Sequence, residues 1–457
     1  MQGNMIDHQK KRVAAVTLGC KLNYAETSSI LDHLCQQGWQ LSSIAEGADL
    51  IIIHTCAVTK QAEKKCRQKI RGIIRKNPAS RISVIGCYAQ LNPDELSSID
   101  GIHAILGSND KFDINFYNDI SNAKLSEPVI KVAPADSFDT VYPGYSLSAS
   151  EGTDRTRAFL KIQDGCDYGC SYCTIPMARG RSRSLPAEQI VERAHLLASS
   201  GYKEIVLTGI NIGDYRSSGL VLIDLLQKLE HVSISRIRIS SIEPDCINSD
   251  LISLIAESEK IVPHLHIPLQ SGSDSILKAM RRRYDTRTYR SRLINAVEFI
   301  PDCSIGTDVI VGYPGETEQD FFQTFRFLEE LPLAYFHVFS CSIRPDTPLA
   351  RQIANHERFP VQSGETARRY ARLIELGQQK ELDYKNRYIG KKCMVLFEGS
   401  TLELKGKVQC SGYTPNYLRV LVETDNLQTA QALTGKEHLV LIESLGEDLN
   451  LKGRVLS

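Results

Sequence analysis

Cys166-Asp-Tyr-Gly-Cys170-Ser-Tyr-Cys173 is the stretch on which the fold of this chain turns. Three thiols fall within eight residues, directly after the apolar run Ala158–Gln163. Thiolates this close together on a loop can wrap one corner of a metal cluster, and Fe–S clusters are held by cysteine thiolates. A fully protein-ligated [4Fe–4S] cluster takes four cysteines, so three leave one iron open to another ligand. Structural zinc is the competing reading. It needs a fourth protein ligand, and none lies nearby.

Outward from this loop, apolar runs alternate with helical patterns at roughly thirty-residue spacing, as βα units do. Ala158–Gln163, Glu204–Thr208, Arg236–Ser241, His264–Leu269, Ser304–Val311 and Tyr335–Ser340 read as strands. Ala187–Ser199, Leu220–Leu229, Asp250–Ala256, Thr288–Phe299 and Glu318–Glu329 read as helices between them. Six such units predict a partial (β/α)6 barrel over residues 154–387, which includes a closing charged helix near Glu365–Asn386. Residues 388–457 change character, with short strands Lys392–Phe397, Lys405–Val408, Leu418–Val422 and Leu439–Ile442 and turn signals between them. They predict a small antiparallel β-barrel.

Towards the N-terminus, Val13–Leu18, Leu50–His54, Ile82–Ile85 and the weaker His103–Leu106 read as buried parallel strands, with Asn23–Gln37 and Thr59–Lys76 as helices. Residues 1–125 therefore form an open parallel α/β sheet domain, and 126–153 a linker with one strand. Cys20, Cys56 and Cys87 each lie one to three residues past the carboxyl end of one of these strands. Strand ends of an open α/β sheet line one edge, where ligands bind, so three thiols distant in sequence meet in space. Buried cysteines acting as small hydrophobes are the bland alternative. The whole chain is accordingly α/β, in three folded parts.

Composition bounds the rest. The 457 residues carry no net charge, 42% are hydrophobic and 24% charged, as in ordinary globular proteins. No run of ~20 apolar residues predicts a membrane span. The N-terminal stretch lacks the apolar core of a secretory signal, which predicts a cytoplasmic protein. In a reducing compartment thirteen cysteines serve metals, catalysis or burial rather than disulfides. Neutral charge means that any nucleic-acid surface is a local patch. Three basic stretches qualify, and Arg67 and Arg71 in Lys60–Lys76, Arg181 and Arg183 after Arg179, and Arg282 and Arg283 beside Tyr284 are the candidate RNA contacts. A solvated helix face competes for Lys60–Lys76.

The CxxxCxxC spacing, with aromatic Tyr172 before the last cysteine, resembles the signature of the radical S-adenosylmethionine superfamily. Thr17-Leu-Gly-Cys20-Lys-Leu-Asn23, His54-Thr-Cys56-Ala-Val58 and Gly86-Cys87-Tyr-Ala-Gln90 resemble the N-terminal domain of its methylthiotransferases. Ile175-Pro-Met-Ala-Arg-Gly-Arg-Ser-Arg183, His264–Gly272 and Thr307–Thr317 continue the match, and the C-terminal stretch looks like the family's RNA-binding TRAM barrel. Gly-Cys-Lys-Leu-Asn and Gly412-Tyr-Thr-Pro-Asn-Tyr417 look most like the branch acting on N6-threonylcarbamoyladenosine in tRNA, although Pro415 replaces an expected acidic residue.

The resemblance implies two [4Fe–4S] clusters, one on Cys166, Cys170 and Cys173 and one on Cys20, Cys56 and Cys87, with two S-adenosylmethionine molecules used per turnover. It implies a tRNA substrate and an electron donor such as flavodoxin or ferredoxin. Cofactor contacts are expected at the carboxyl ends of barrel strands. The candidates are Tyr172 in the loop, Thr208, Gly209 and Asn211, Ser241 and Glu243, Gln270 and Ser271, and Asp308 and Gly312. His54, His264 and His266 are expected to fill the sheet or barrel interior. Rival functions are methylthiolation of isopentenyladenosine in tRNA, methylthiolation of a ribosomal-protein aspartate, and a non-enzymatic Fe–S or zinc RNA-binding redox sensor.

Overall fold

The computed structural model describes residues 10–123, 127–146, 156–404 and 407–456, without the side chains of 400–404. Contacts divide the chain into two compact units. The first comprises the N-terminal part up to residue 147 together with Asp164–Asp167 and Thr174–Arg183, and the second the remainder.

In the first unit, β1 (Arg12–Thr17), β2 (Gln40–Leu41), β3 (Leu50–Thr55), β4 (Arg81–Gly86), β5 (Ala104–Leu106) and β6 (Val129–Lys131) form one sheet in the order β2-β1-β3-β4-β5-β6. Every neighbouring pair is parallel. Side chains alternate across a strand, so a central strand feeds two cores. Ile51 and Ile53 of β3 pack with Ile70 and Ile73 of α2 (Lys60–Lys76), while Leu50 and Ile52 pack with Ile30 and Leu34 of α1 (Lys21–Gln36). That explains why β3 reads as an unbroken apolar run. The Thr59 hydroxyl starts α2 by accepting from the Ala62 N–H at 3.1 Å. The segment read as a linker with one strand carries Val129–Lys131, an edge strand of this sheet, and its Tyr145 N–H bonds the Ala25 carbonyl. The rest of that call, at 124–126 and 147–155, and the start of Lys405–Val408 lie outside the described residues.

In the second unit, β7 (Arg157–Lys161), β8 (Glu204–Thr208) and β9 (Arg236–Ile239) form one parallel sheet, and β10 (His264–His266), β11 (Ser304–Val311) and β12 (Tyr335–Ser340) another. Parallel bridges Ile237–Ile261 and Ser241–His266 join β9 to β10, so six strands run in chain order as a partial barrel. Helices α3 (Ala187–Ser199), α4 (Leu222–Leu229), α5 (Ser249–Glu257), α6 (Thr286–Phe299) and α7 (Glu318–Glu330) connect them, and α8 (Ser363–Asn386) follows β12. No described helix is long and apolar enough to cross a membrane.

The C-terminal strands β13 (Lys392–Leu404), β14 (Lys407–Tyr413), β15 (Arg419–Thr424), β16 (Glu437–Leu445) and β17 (Leu451–Val455) close into a barrel in the order β13-β14-β15-β17-β16. One pairing, β15 with β17, is parallel, and a short helix, Leu427–Leu433, crosses between β15 and β16. This barrel docks on the amino ends of the central strands. Arg236 donates to Glu437 and to the Tyr413 carbonyl, Arg238 to the Pro415 carbonyl, and Arg157 to Glu398. Arg236 and Arg238 also flank Glu204, which is fully buried. The Gly412–Tyr417 stretch is thus a joint. Asn416 bonds Tyr388 at 2.6 Å, and Arg157 and Arg238 lie over the Tyr417 ring. Only the backbone carbonyl of Pro415 is used there by Arg238, which tolerates a residue without an acidic side chain.

Candidate active site

Three strand ends of the first unit position the first set of thiols. Cys20 is the N-cap of α1, Cys56 follows β3, and Cys87 opens a short helix, Cys87–Leu91, immediately after β4. Gly86 makes the last turn possible. It has a φ of +99°, and a Cβ there would meet the His54 ring at 2.5 Å and the Thr55 carbonyl oxygen at 2.7 Å. Cys20 is exposed, Cys56 half-buried and Cys87 buried, so the trio grades from solvent into the sheet edge. Burial, then the neighbouring Cys87 and Cys20, push the Cys56 thiol up to about 12. The three thiols are therefore close enough to repel one another as thiolates, and a bound cation is what would ionise them together.

A single tetrahedral zinc, at Zn–S of ~2.3 Å, would hold its sulfurs roughly 4 Å apart. Cys20, Cys56 and Cys87 form no group at single-ion spacing, and among the described residues only His266, Asp308 and His337 do so. Three sulfurs, each at its own strand end, are the type of donor that Fe–S clusters take.

Behind these thiols lies a charged network that the sequence did not disclose. Arg179 is 1% exposed. Its guanidinium donates to Glu26 at 2.9 and 3.0 Å, to Asp164 at 3.0 Å, to the Asn23 side-chain oxygen at 2.7 Å and to the Cys87 sulfur at 3.4 Å. Lys111, also buried, pairs with Glu26 at 2.7 Å. The Cys20 thiol donates to the same Asn23 oxygen at 3.5 Å. Arg179 stands in a basic run with Arg181 and Arg183, and only its burial distinguishes it from them.

In the second unit, Cys170 and Cys173 lie in one turn, the Cys173 N–H bonding the Cys170 carbonyl at 3.2 Å. Cys166 itself belongs to the first unit, where its N–H bonds the Gly180 carbonyl. Arg282 donates to the Cys170 sulfur at 3.0 Å and pairs with Glu243. Burial raises the Glu243 carboxyl while Arg282 opposes that rise. Arg282 is a correction to the sequence reading, because its side chain is 3% exposed and faces a motif cysteine rather than an RNA phosphate. Arg283 is exposed and stacks over Tyr168, and Arg71 and Arg181 are exposed. Arg67 is half-exposed and tied to Tyr88 and Glu95. Arg183 caps the Arg179 and Arg181 carbonyls.

The strand-end candidates separate by what they already bond. Thr208 Oγ1 and both amide atoms of Asn211 are buried with no hydrogen-bond partner among the described residues. Buried polar atoms are rarely left so, and these three, at the carboxyl end of β8, fit a polar cofactor. The Gln163 side-chain oxygen fixes that corner by accepting from the Ile210 and Asn211 N–H groups. Gly209 sits tightly beside Gln163, where a Cβ would lie 2.9 Å from that oxygen. Ser241 is exposed. Gln270 holds φ +68° and pairs its backbone with Asp308 and Ile310. Ser271 is buried against Thr324, Gly312 receives Glu316 on its N–H, and Tyr172 packs beside Met280 and Tyr313. Asp308 is already engaged, holding His266 at 3.0 Å and His337 at 3.1 Å. His337 was not singled out from sequence. Its signal was alternation, since Phe336 and Val338 are buried while His337 and Phe339 are exposed. His54 and His264 are buried as expected.

Residues 160–328 match the family model described as the Radical SAM superfamily, and residues 12–107 match the one described as Uncharacterized protein family UPF0004. The chain is 39% identical over 415 residues to the threonylcarbamoyladenosine tRNA methylthiotransferase MtaB of Bacillus subtilis, covering 90% of each chain. It is 36% identical over 392 residues to the protein of the same name from Aquifex aeolicus, covering 84% of this chain and 92% of that one. Its fold is similar to that of the radical S-adenosylmethionine methyltransferase TsrM from Kitasatospora setae, with a TM-score of 0.56 at 15% identity over 76% of this chain and 78% of that one. With the Radical SAM model matched and relatives this similar over nearly their whole length, the chain belongs to the radical SAM methylthiotransferases.

Proposed function

We propose that this enzyme inserts a methylthio group at C2 of N6-threonylcarbamoyladenosine beside the anticodon of tRNA, using two [4Fe–4S] clusters and two S-adenosylmethionine molecules per turnover. The observation that carries the two-cluster reading is the position of Cys20, Cys56 and Cys87 at three adjacent strand ends of their own sheet, apart in sequence from Cys166, Cys170 and Cys173. The substrate reading rests on the names of the relatives and on the Gly-Cys-Lys-Leu-Asn motif at Cys20.

An aromatic C2–H bond offers no acidity to a general base, so when bound the clusters and S-adenosylmethionine supply one-electron chemistry and the sulfur. The chain's own residues do the rest. Cys166, Cys170 and Cys173 would hold the cluster that binds S-adenosylmethionine. Thr208 and Asn211 present three unpaired polar atoms to that molecule. Arg282, buried and held by Glu243, supports the Cys170 sulfur. Arg71 and Arg181, both exposed, are the side chains offered for phosphate contact. An electron donor such as flavodoxin or ferredoxin completes the partners.

Mass spectrometry of tRNA nucleosides from a strain lacking the protein tests this reading. Loss of the 2-methylthio group from N6-threonylcarbamoyladenosine, restored by the gene, is the expected result. Loss from isopentenyladenosine, or unchanged tRNA with a ribosomal protein losing its methylthio group, would replace it. Reconstitution with iron for one cluster alone would remove the two-cluster part.

A further inference from the structure

We propose that Arg179 is a positioning residue for the group on Cys20, Cys56 and Cys87, holding a buried positive charge against it and so raising its reduction potential. The inference rests on the reading that these three cysteines carry a [4Fe–4S] cluster.

The placement is over-determined. Four of its five donor-bearing directions are taken by Glu26, Asp164 and Asn23, which fix the guanidinium plane and leave Nε facing the Cys87 sulfur at 3.4 Å. Asn23 anchors the guanidinium through the side-chain oxygen that also lies 3.5 Å from the Cys20 sulfur. The cation thus touches one of the three sulfurs directly, that of Cys87.

Neutralising Glu26 alone does not explain the residue, since Lys111 also pairs with Glu26 at 2.7 Å, and the Asp164→Asn variant below separates pairing with Asp164 from contact with the sulfur. Nor does solvation explain it, since the side chain is 1% exposed. A charge this deep is weakly screened and acts strongly on its neighbours. Potentials of Fe–S clusters follow net charge and hydrogen bonds to the sulfurs. Reduction adds one negative charge, which a guanidinium N–H···S contact stabilises. Removing it therefore lowers the potential.

The test uses the full chain with Cys166→Ala, Cys170→Ala and Cys173→Ala together, so that only the proposed second cluster can assemble. Iron content and an EPR-monitored redox titration are measured after anaerobic reconstitution. The parent is compared with Arg179→Lys, with Arg179→Gln, and with Arg179→Gln combined with Asp164→Asn, which keeps the buried charges balanced. The expected result is a full iron complement and a midpoint shifted negative in both glutamine variants, with a smaller shift for lysine. Unchanged midpoints in loaded variants overturn the proposal. A charge-balanced variant that keeps its fold but takes up no iron overturns it as well, because Arg179 would then govern assembly. A parent that binds no iron instead removes the underlying two-cluster reading.

Discussion

Arg282 donates a hydrogen bond to the Cys170 sulfur at 3.0 Å, although 112 residues separate them. The contact joins the second residue of an arginine run to the cysteine motif, and Glu243 holds the far side of the same guanidinium. Arg282→Ala leaves Glu243 buried without its cation, which costs about 3–5 kcal/mol when a buried pair is broken. We expect a lower melting temperature and a sharp fall in iron bound by the motif cysteines. Arg282→Lys should recover the melting temperature more than the 5′-deoxyadenosine yield, since lysine restores charge but not the planar fork. Equal yields for both variants and the native chain would refute this role.

Cys166→Ala should abolish 5′-deoxyadenosine formation. Cys56→Ala should keep that cleavage and block sulfur insertion. Chromatography of 5′-deoxyadenosine and of modified nucleoside from one reaction reads both outcomes. Methylthiolated product from either variant would contradict the division of labour between the two cysteine sets.

Asn211→Ala should weaken S-adenosylmethionine binding about tenfold, the effect of one or two lost hydrogen bonds. The melting temperature of the ligand-free protein should hold or rise, because the deleted amide is buried without partners. Calorimetric titration with S-adenosylmethionine measures the first and thermal unfolding the second. A fall in stability with unchanged affinity would make Asn211 a structural residue.

Asp320 ties the loop after β10 to the start of α7, accepting from Thr317, Ser273 and Ser275. Burial raises its carboxyl, but these hydrogen bonds outweigh that and hold it at about 2, below its ordinary 3.8. A depressed folded pKa gives stability that is present above the unfolded value and lost as pH falls through the folded one. The native chain should therefore lose stability between about pH 4 and pH 2, as the linkage requires. Asp320→Asn should start less stable at pH 7 and show less loss over that window, in melts recorded across the range. Parallel pH curves for the two proteins would count against it.

The central strands were legible because each is a short apolar run with a helix period on either side. Glu204–Thr208, Ser304–Val311 and Tyr335–Ser340 have the bounds that the pattern predicts. β17 was missed because Leu451–Val455 carries two charges and a glycine among its five residues, and its partners lie in β15 and β16. The one strand expected in the linker could not be bounded within its polar sequence, and Val129–Lys131 forms where β5 offers it an edge.

Local order thus settled which residues form strands and that a thiol follows each of three of them, since apolar period and spacing are properties of neighbours along the chain. It could not tell one arginine from another. Arg71 is exposed, while Arg179, Arg236 and Arg282 are buried against Glu26, Glu437 and Glu243. Those carboxylates lie 153, 201 and 39 residues away. A buried charge is defined by its distant partner, and only folding brings the partner to it.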